Sequence, residues 1–150
     1  MKKLKHIFQL DPNGCSIAAL AMIVGKEYFE LRKFLHKNEN KIIPLLRKSD
    51  KASKCLVEFY NNNGFWFSLE DMIQILMVLF YIKATYKKFY SLQKIKKHSV
   101  FNVMGINKYE AGHAIVFDAV QRKILDPGRD ETRTDNKLSN YNVATYIEID

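Results

Sequence analysis

From Cys15–Val24 the chain reads Cys-Ser-Ile-Ala-Ala-Leu-Ala-Met-Ile-Val, small or apolar at nearly every position. A helix with no polar face is a buried helix, and Gly25 behind it is a natural stop. Tyr28, Leu31, Phe34 and Leu35 recur at helical spacing and predict a second helix. Pro44 suits the first turn of a third, which would run as far as Tyr60 and end at Asn61-Asn62-Asn63-Gly64. Ser68 with Asp71 three residues on resembles a capping box, Asp standing in for the usual Glu or Gln, and predicts a helix over Leu69–Phe80. The period then changes. Residues 81–90 mix β-branched and aromatic side chains with Lys and fit either period. Residues 100–106, 113–117, Lys123–Leu125 and 143–149 read as strands. Helices first and strands later predict an α+β fold with an antiparallel sheet.

Composition narrows the class. A length of 150 residues suits a single domain. Six Gly and three Pro exclude a collagen-like or low-complexity chain, and 13% aromatic residues argue against disorder. Two Cys make no disulfide framework, which fits a reducing compartment. The longest apolar run, residues 72–82, is broken by Gln74 and is shorter than the roughly 18–20 residues of a membrane span. After Met1-Lys2-Lys3 only Ile7-Phe8 is apolar before Gln9, Asp11 and Pro12, so no secretory h-region follows. The expected location is cytoplasmic, or outside the cell by a route without an N-terminal signal.

The net charge of +8 is uneven: residues 1–60 carry 12 basic and 6 acidic groups, residues 61–110 carry 7 and 3, residues 111–150 carry 5 and 7. Such a surface favours acidic partners. Lys94-Ile-Lys96-Lys97-His98 lacks interleaved aromatics, so no nucleic-acid partner is expected. His6, His36 and His98 sit among Lys residues and read as surface groups, and no His/Cys/Asp cluster has metal-ligand spacing. No metal and no cofactor are expected. Cys55 reads as a core or half-buried thiol, Phe65-Trp66-Phe67 as core or cleft lining, and Arg129 to Asp135 as an exposed mixed-charge loop.

The candidate chemistry begins at Cys15. It follows the turn-forming Asp11-Pro12-Asn13-Gly14 and opens the buried helix. A thiol there faces the positive end of the macrodipole, which favours the nucleophilic thiolate, although an inert buried Cys is the commoner fate. Gln9 lies six residues upstream, where its amide and the Cys15 N–H would form an oxyanion hole. His113 opens the apolar strand Gly112-His-Ala-Ile-Val-Phe, and would exchange a proton with Cys15 as general base and acid. Gly112 beside it would leave room for a substrate backbone. Asp126, in Leu125-Asp126-Pro127-Gly128, ends the next strand and would fix the His113 tautomer. Asp-Pro-Gly is also a good turn with no further role.

The order Gln9, Cys15, His113, Asp126, with Cys on a helix and His and Asp on sequential strands, is that of papain-like thiol hydrolases. More closely, it resembles the bacterial peptidase domains that process bacteriocins by cutting leader peptides after a double glycine. Those show Gln, then Asp two residues on, then Cys heading a helix with Ala and Met, as Gln9, Asp11, Cys15, Ala18 or Ala19, and Met22 stand here. His113 opening an apolar strand and Asp126-Pro127 ending the next complete the likeness. The family's Asp-Cys-Gly is Gly14-Cys15-Ser16 in this chain, so Ser16 adds a side chain near the oxyanion site. The resemblance spans both ends of the chain and leaves residues 40–100 unmatched. It implies a single papain-like cysteine protease domain over residues 1–150, a helical half packed on an antiparallel sheet, with Cys15 attacking an amide carbonyl of a peptide or protein substrate.

Three functions stay open at this stage. The first is a peptidase with a Cys-His-Asp triad. The second is a deamidase or acyl transferase using the same triad on a protein side chain, as a bacterial effector would. The third is a non-catalytic basic binding module, in which Cys15 is buried or turned from His113. The triad also carries a geometric condition. Direct pairing of His113 with Asp126 centres the hairpin between Ala119 and Val120, whereas a tight turn at Gln121-Arg122 sets Asp126 opposite Phe117, four residues or roughly 13 Å from His113. The expectation is a turn near Asp118 to Gln121, or a bulge.

Overall fold

The structure, a computed structural model, describes residues 1–11, 14–46, 67–104, 112–128 and 142–150. Four helices, α1 (Cys15–Val24), α2 (Tyr28–Lys37), α3 (Glu39–Leu46) and α4 (Leu69–Phe80), come first. Five strands follow, β1 (Ala84–Lys88), β2 (Ser99–Met104), β3 (His113–Asp118), β4 (Lys123–Leu125) and β5 (Asn142–Ile149), with a 3-10 turn at Leu92–Lys94. They form one sheet in the order β1-β5-β2-β3-β4, every neighbouring pair antiparallel. The α+β expectation holds. The expected helix over Cys15–Val24, the one starting at Tyr28 and the one over Leu69–Phe80 are all present.

The boundaries have local causes. Gly25 takes the left-handed conformation (φ 70°) that ends α1, its N–H bonding the Ala21 carbonyl. Ser68 and Asp71 make both bonds of a capping box at the start of α4. The third helix differs from expectation. It begins at Glu39, with Pro44 inside it instead of in its first turn. Asn38 closes α2 and its carbonyl accepts from Lys41 N–H, so one residue ends a helix and opens the next. The interior proline costs Asn40 a helical bond, and Ile42 and Leu46, four residues apart, bury the same face. The continuation to Tyr60 and the Asn61–Gly64 stop lie outside the described residues. The ambiguous stretch 81–90 contains β1, its polar pattern arising because it is an edge strand paired on one side only.

The helices pack on one face of the sheet. Alternate strand residues Val100, Ala114, Val116, Leu125 and Ile147 join the apolar faces of all four helices in one core. Ile17, Ala18, Ala19, Leu20 and Ala21 of α1 are fully buried there. Phe101, Val103, Ile115, Phe117, Ile124 and Tyr146 point the other way and gather under Ile95, Phe89 and Leu92. Strand β3 is therefore apolar at consecutive positions because both of its faces are covered. In β5 the register against β2 slips by one residue at Ala144, and the Ala144 carbonyl accepts from Phe89 N–H.

The segment before α1 runs along the outer side of the β3–β4 hairpin. Leu4 N–H donates to Asp118 Oδ2, and Gln9 N–H donates to the Pro127 carbonyl. Among the described residues no helix is long and apolar enough to cross a membrane. Replacing Ser68 by Ala removes one cap acceptor and is expected to lower unfolding free energy by about 1 kcal/mol, read from the urea midpoint at unchanged slope.

Candidate active site

Cys15 stands at the first turn of α1, and its helix is anchored from two sides. Asp11 accepts from Tyr28 Oη at 2.8 Å and from Arg32 at 3.3 Å, while its carbonyl accepts from Gly14 N–H. Burial and the Asp11 carboxylate together raise the Tyr28 phenol well above its ordinary value, so it stays a donor. Gly14 is required by this packing: a Cβ there would lie 1.8 Å from the Tyr28 hydroxyl oxygen. On the second side Ser16, fully buried, accepts from Phe67 N–H at 3.0 Å. Its hydroxyl is thus engaged with the entry to α4. Phe67 is core, and Phe65, Trp66 and Cys55 lie outside the described residues. The N-cap residue of α1, Gly14, has no side chain with which to cap the helix.

His113 and Asp126 meet. Nε2 of His113 lies 2.7 Å from Asp126 Oδ1. They do so without direct pairing: Val116 faces Leu125, Phe117 faces Ile124 and Asp118 faces Lys123. The hairpin centre falls between Val120 and Gln121, one residue past the position that direct pairing demands. Continued by one residue, this register sets Asp126 opposite Ile115, on the same side as His113 and diagonal to it. Diagonal neighbours are roughly 7–8 Å apart, a gap that an imidazole and a carboxylate reaching toward each other close. Arg122 at φ 57° takes up the turn. No bulge in this hairpin is needed.

Asp126 is 4% exposed at its side chain and His113 is 31% exposed. The acid is shielded while the imidazole is reachable. The same Oδ1 accepts from Gly128 N–H at 2.8 Å, so the Asp-Pro-Gly turn and the histidine contact are made by one oxygen. Cys15 is the second side chain that acts on the His113 ring. Burial disfavours the imidazolium, but the bonds to Asp126 and Cys15 outweigh it and push His113 up to about 9. Cys15 itself is buried, 5% exposed.

Gln9 completes the group. Its Nε2 donates to the Asp11 carbonyl at 3.3 Å, the same carbonyl that receives Gly14 N–H one residue before Cys15. A Cβ placed on Gly128 would lie 3.4 Å from Asp126 Oδ1, 3.5 Å from His113 Cε1 and 3.8 Å from Gln9 Oε1. Gly128 therefore marks the point where three of the four expected site residues converge. Two expectations change. Gly112 does not open space for a substrate backbone, because a Cβ there would lie 2.6 Å from Asn102 Oδ1 and that space belongs to Asn102. His6 and His98 are not surface groups. His6 bonds the Asp126 carbonyl at 2.8 Å. His98 is buried, one ring nitrogen on the Lys2 carbonyl and the other accepting from Ala119 N–H. His36 is exposed and pairs with Glu39, as expected of a surface group. The loop from Arg129 to Asp135 lies outside the described residues.

The chain matches no protein-family model, and comparison with curated proteins and with solved structures gives no match. The chemistry must be argued from the geometry itself. A folded-state value above the unfolded ~6.5 means protonated His113 stabilises the fold fully below about pH 6.5, and that contribution fades as pH rises through about 9. Urea unfolding compared at about pH 7 and about pH 10 is expected to show a loss of stability in the wild type that is smaller in His113→Gln.

Proposed function

We propose that the protein is a cysteine-dependent amide hydrolase on a papain-like scaffold, acting most simply as a peptidase. The observation that carries this reading is the hydrogen bond of His113 to the buried Asp126, with Cys15 at a helix N-terminus as the second side chain acting on the same ring. His113 holds the proton of Cys15 as an imidazolium, and Asp126 orients the ring and balances its charge. The Cys15 thiolate attacks the carbonyl carbon, and a C–S bond forms as the carbonyl π pair moves to oxygen. Cys15 N–H and the Gln9 amide are the donors for that oxyanion, which requires Gln9 Nε2 to exchange its long bond to Asp11 for one to the substrate. Collapse of the oxyanion expels the amine, which takes its proton from His113. Water, deprotonated by His113, then cleaves the thioester and regenerates the thiol. No metal or cofactor enters these steps. The likeness to bacteriocin-processing peptidases suggests a leader-like peptide substrate. The same steps serve a deamidase or acyl transferase, with a side-chain amide in place of the main-chain one or an amine in place of water.

A non-catalytic basic module is the second reading, and the burial of Cys15 favours it. The influence of Cys15 on the His113 ring supports the hydrolase reading instead. Alkylation of Cys15 by iodoacetamide against pH separates the two, with Cys55→Ser in every protein. The hydrolase reading expects rapid labelling already at about pH 6, well below the ~8.5 of a free thiol, slowed by an order of magnitude or more in His113→Ala. Slow labelling with ordinary pH dependence, indifferent to His113, removes the hydrolase reading and favours the binding module.

A further inference from the structure

Strand β4 stops pairing with β3 at Leu125. The next two carbonyls, those of Asp126 and Pro127, lie beyond that ladder, and Pro127 has no N–H to offer. Both carbonyls are taken by the N-terminal segment: Asp126 C=O receives the His6 ring at 2.8 Å, and Pro127 C=O receives Gln9 N–H at 3.0 Å. Because the partner of His6 is a carbonyl, its Nε2 must carry the proton and donate. One stretch of chain therefore replaces the sheet ladder at the residue whose carboxylate holds His113, and the same stretch carries Gln9 toward Cys15.

We propose that His6 is a positioning residue of the active site, whose Nε2–H clamps the Asp126 carbonyl and so keeps the Asp126 carboxylate on His113. The clamp and the Gln9 bond to Pro127 make the N-terminal segment a strap that couples the triad acid to the oxyanion donor. The segment is suited to this because it is held by polar bonds more than by burial: Ile7 is its one core residue among residues 1–9. The side chains on His113 are Cys15 from α1 and Asp126 after β4, and His6 reaches this set through the Asp126 backbone. Its ring also packs against Phe8, tilted, at 4.4 Å between centroids. A purely packing role would need only that ring contact. The catalytic meaning of the clamp rests on the hydrolase reading, but the clamp itself does not.

The test is the NMR titration of the His113 imidazole in the full chain. His6→Phe keeps the ring against Phe8 and removes the donor, and His6→Gln restores a donor on an amide. In His6→Phe the His113 midpoint is expected to fall by about one pH unit, a tenfold change in its protonation equilibrium, and His6→Gln is expected to recover most of it. An unmoved His113 midpoint in His6→Phe overturns the clamp. The wild type alone gives a second test that no folding defect can spoil. The His6 ring must be the Nε2–H tautomer with a slowly exchanging proton, and an Nδ1–H tautomer or fast exchange overturns the proposal. Failure of the hydrolase reading shows elsewhere, as Cys15 labelling in the wild type that ignores His113, and leaves the clamp standing.

Discussion

The site depends on one buried carboxylate. Asp126 is almost wholly shielded from solvent, and a charge so placed is tolerated only when every lone pair finds a donor. Its Oδ1 is held by His113 and by Gly128 N–H, and its carbonyl by His6. The imidazolium on His113 is the counter-charge that makes this burial affordable, and Cys15 on the far side of the ring makes the imidazolium favourable in turn. Remove any one of the three and the others lose the reason for their protonation state.

Around this row the fold supplies rigidity from opposite sides. Helix α1 is buried from Cys15 to Met22, and its first turn is tied through Asp11 to α2 and through Ser16 to the start of α4. Strand β3 is covered on both faces, so its first residue is presented by a strand that cannot tilt without disturbing two cores. Cys15 and His113 are thus set by elements packed into the core. The hairpin turn, the Asp-Pro-Gly corner and the N-terminal strap supply the fine placement.

Most of this architecture is legible in the amino-acid pattern where local chemistry and burial agree. The Ser68–Asp71 box, the Gly25 stop and the uniformly apolar α1 each announce themselves because short-range bonds decide them. Pro44 misleads because a proline rule assumes that the helix starts where proline is cheapest, whereas Asn38 starts it earlier and the Ile42–Leu46 face keeps it. The separation of His113 and Asp126 is legible only as a condition on the turn, since the side chains close a diagonal that strand counting alone treats as a mismatch. The parts hidden from the pattern are those made by long-range contact. His6 and His98 sit among lysines in the sequence and are drawn inward by carbonyls about a hundred residues away. Gly112 looks like an opening and proves to be the space for Asn102. Tyr28 and Arg32, four residues apart on α2, carried a readable signal for Asp11 as one helix face aimed at one carboxylate.

The proposed function requires that Cys15 and His113 share one proton as an ion pair. Ultraviolet difference absorbance of the thiolate against pH, wild type minus Cys15→Ser, reads this directly. The account predicts thiolate absorbance at neutral pH and below, lost when His113 is replaced by Ala. Absorbance that emerges only near the ~8.5 of a free thiol, in the wild type and in His113→Ala alike, would contradict it.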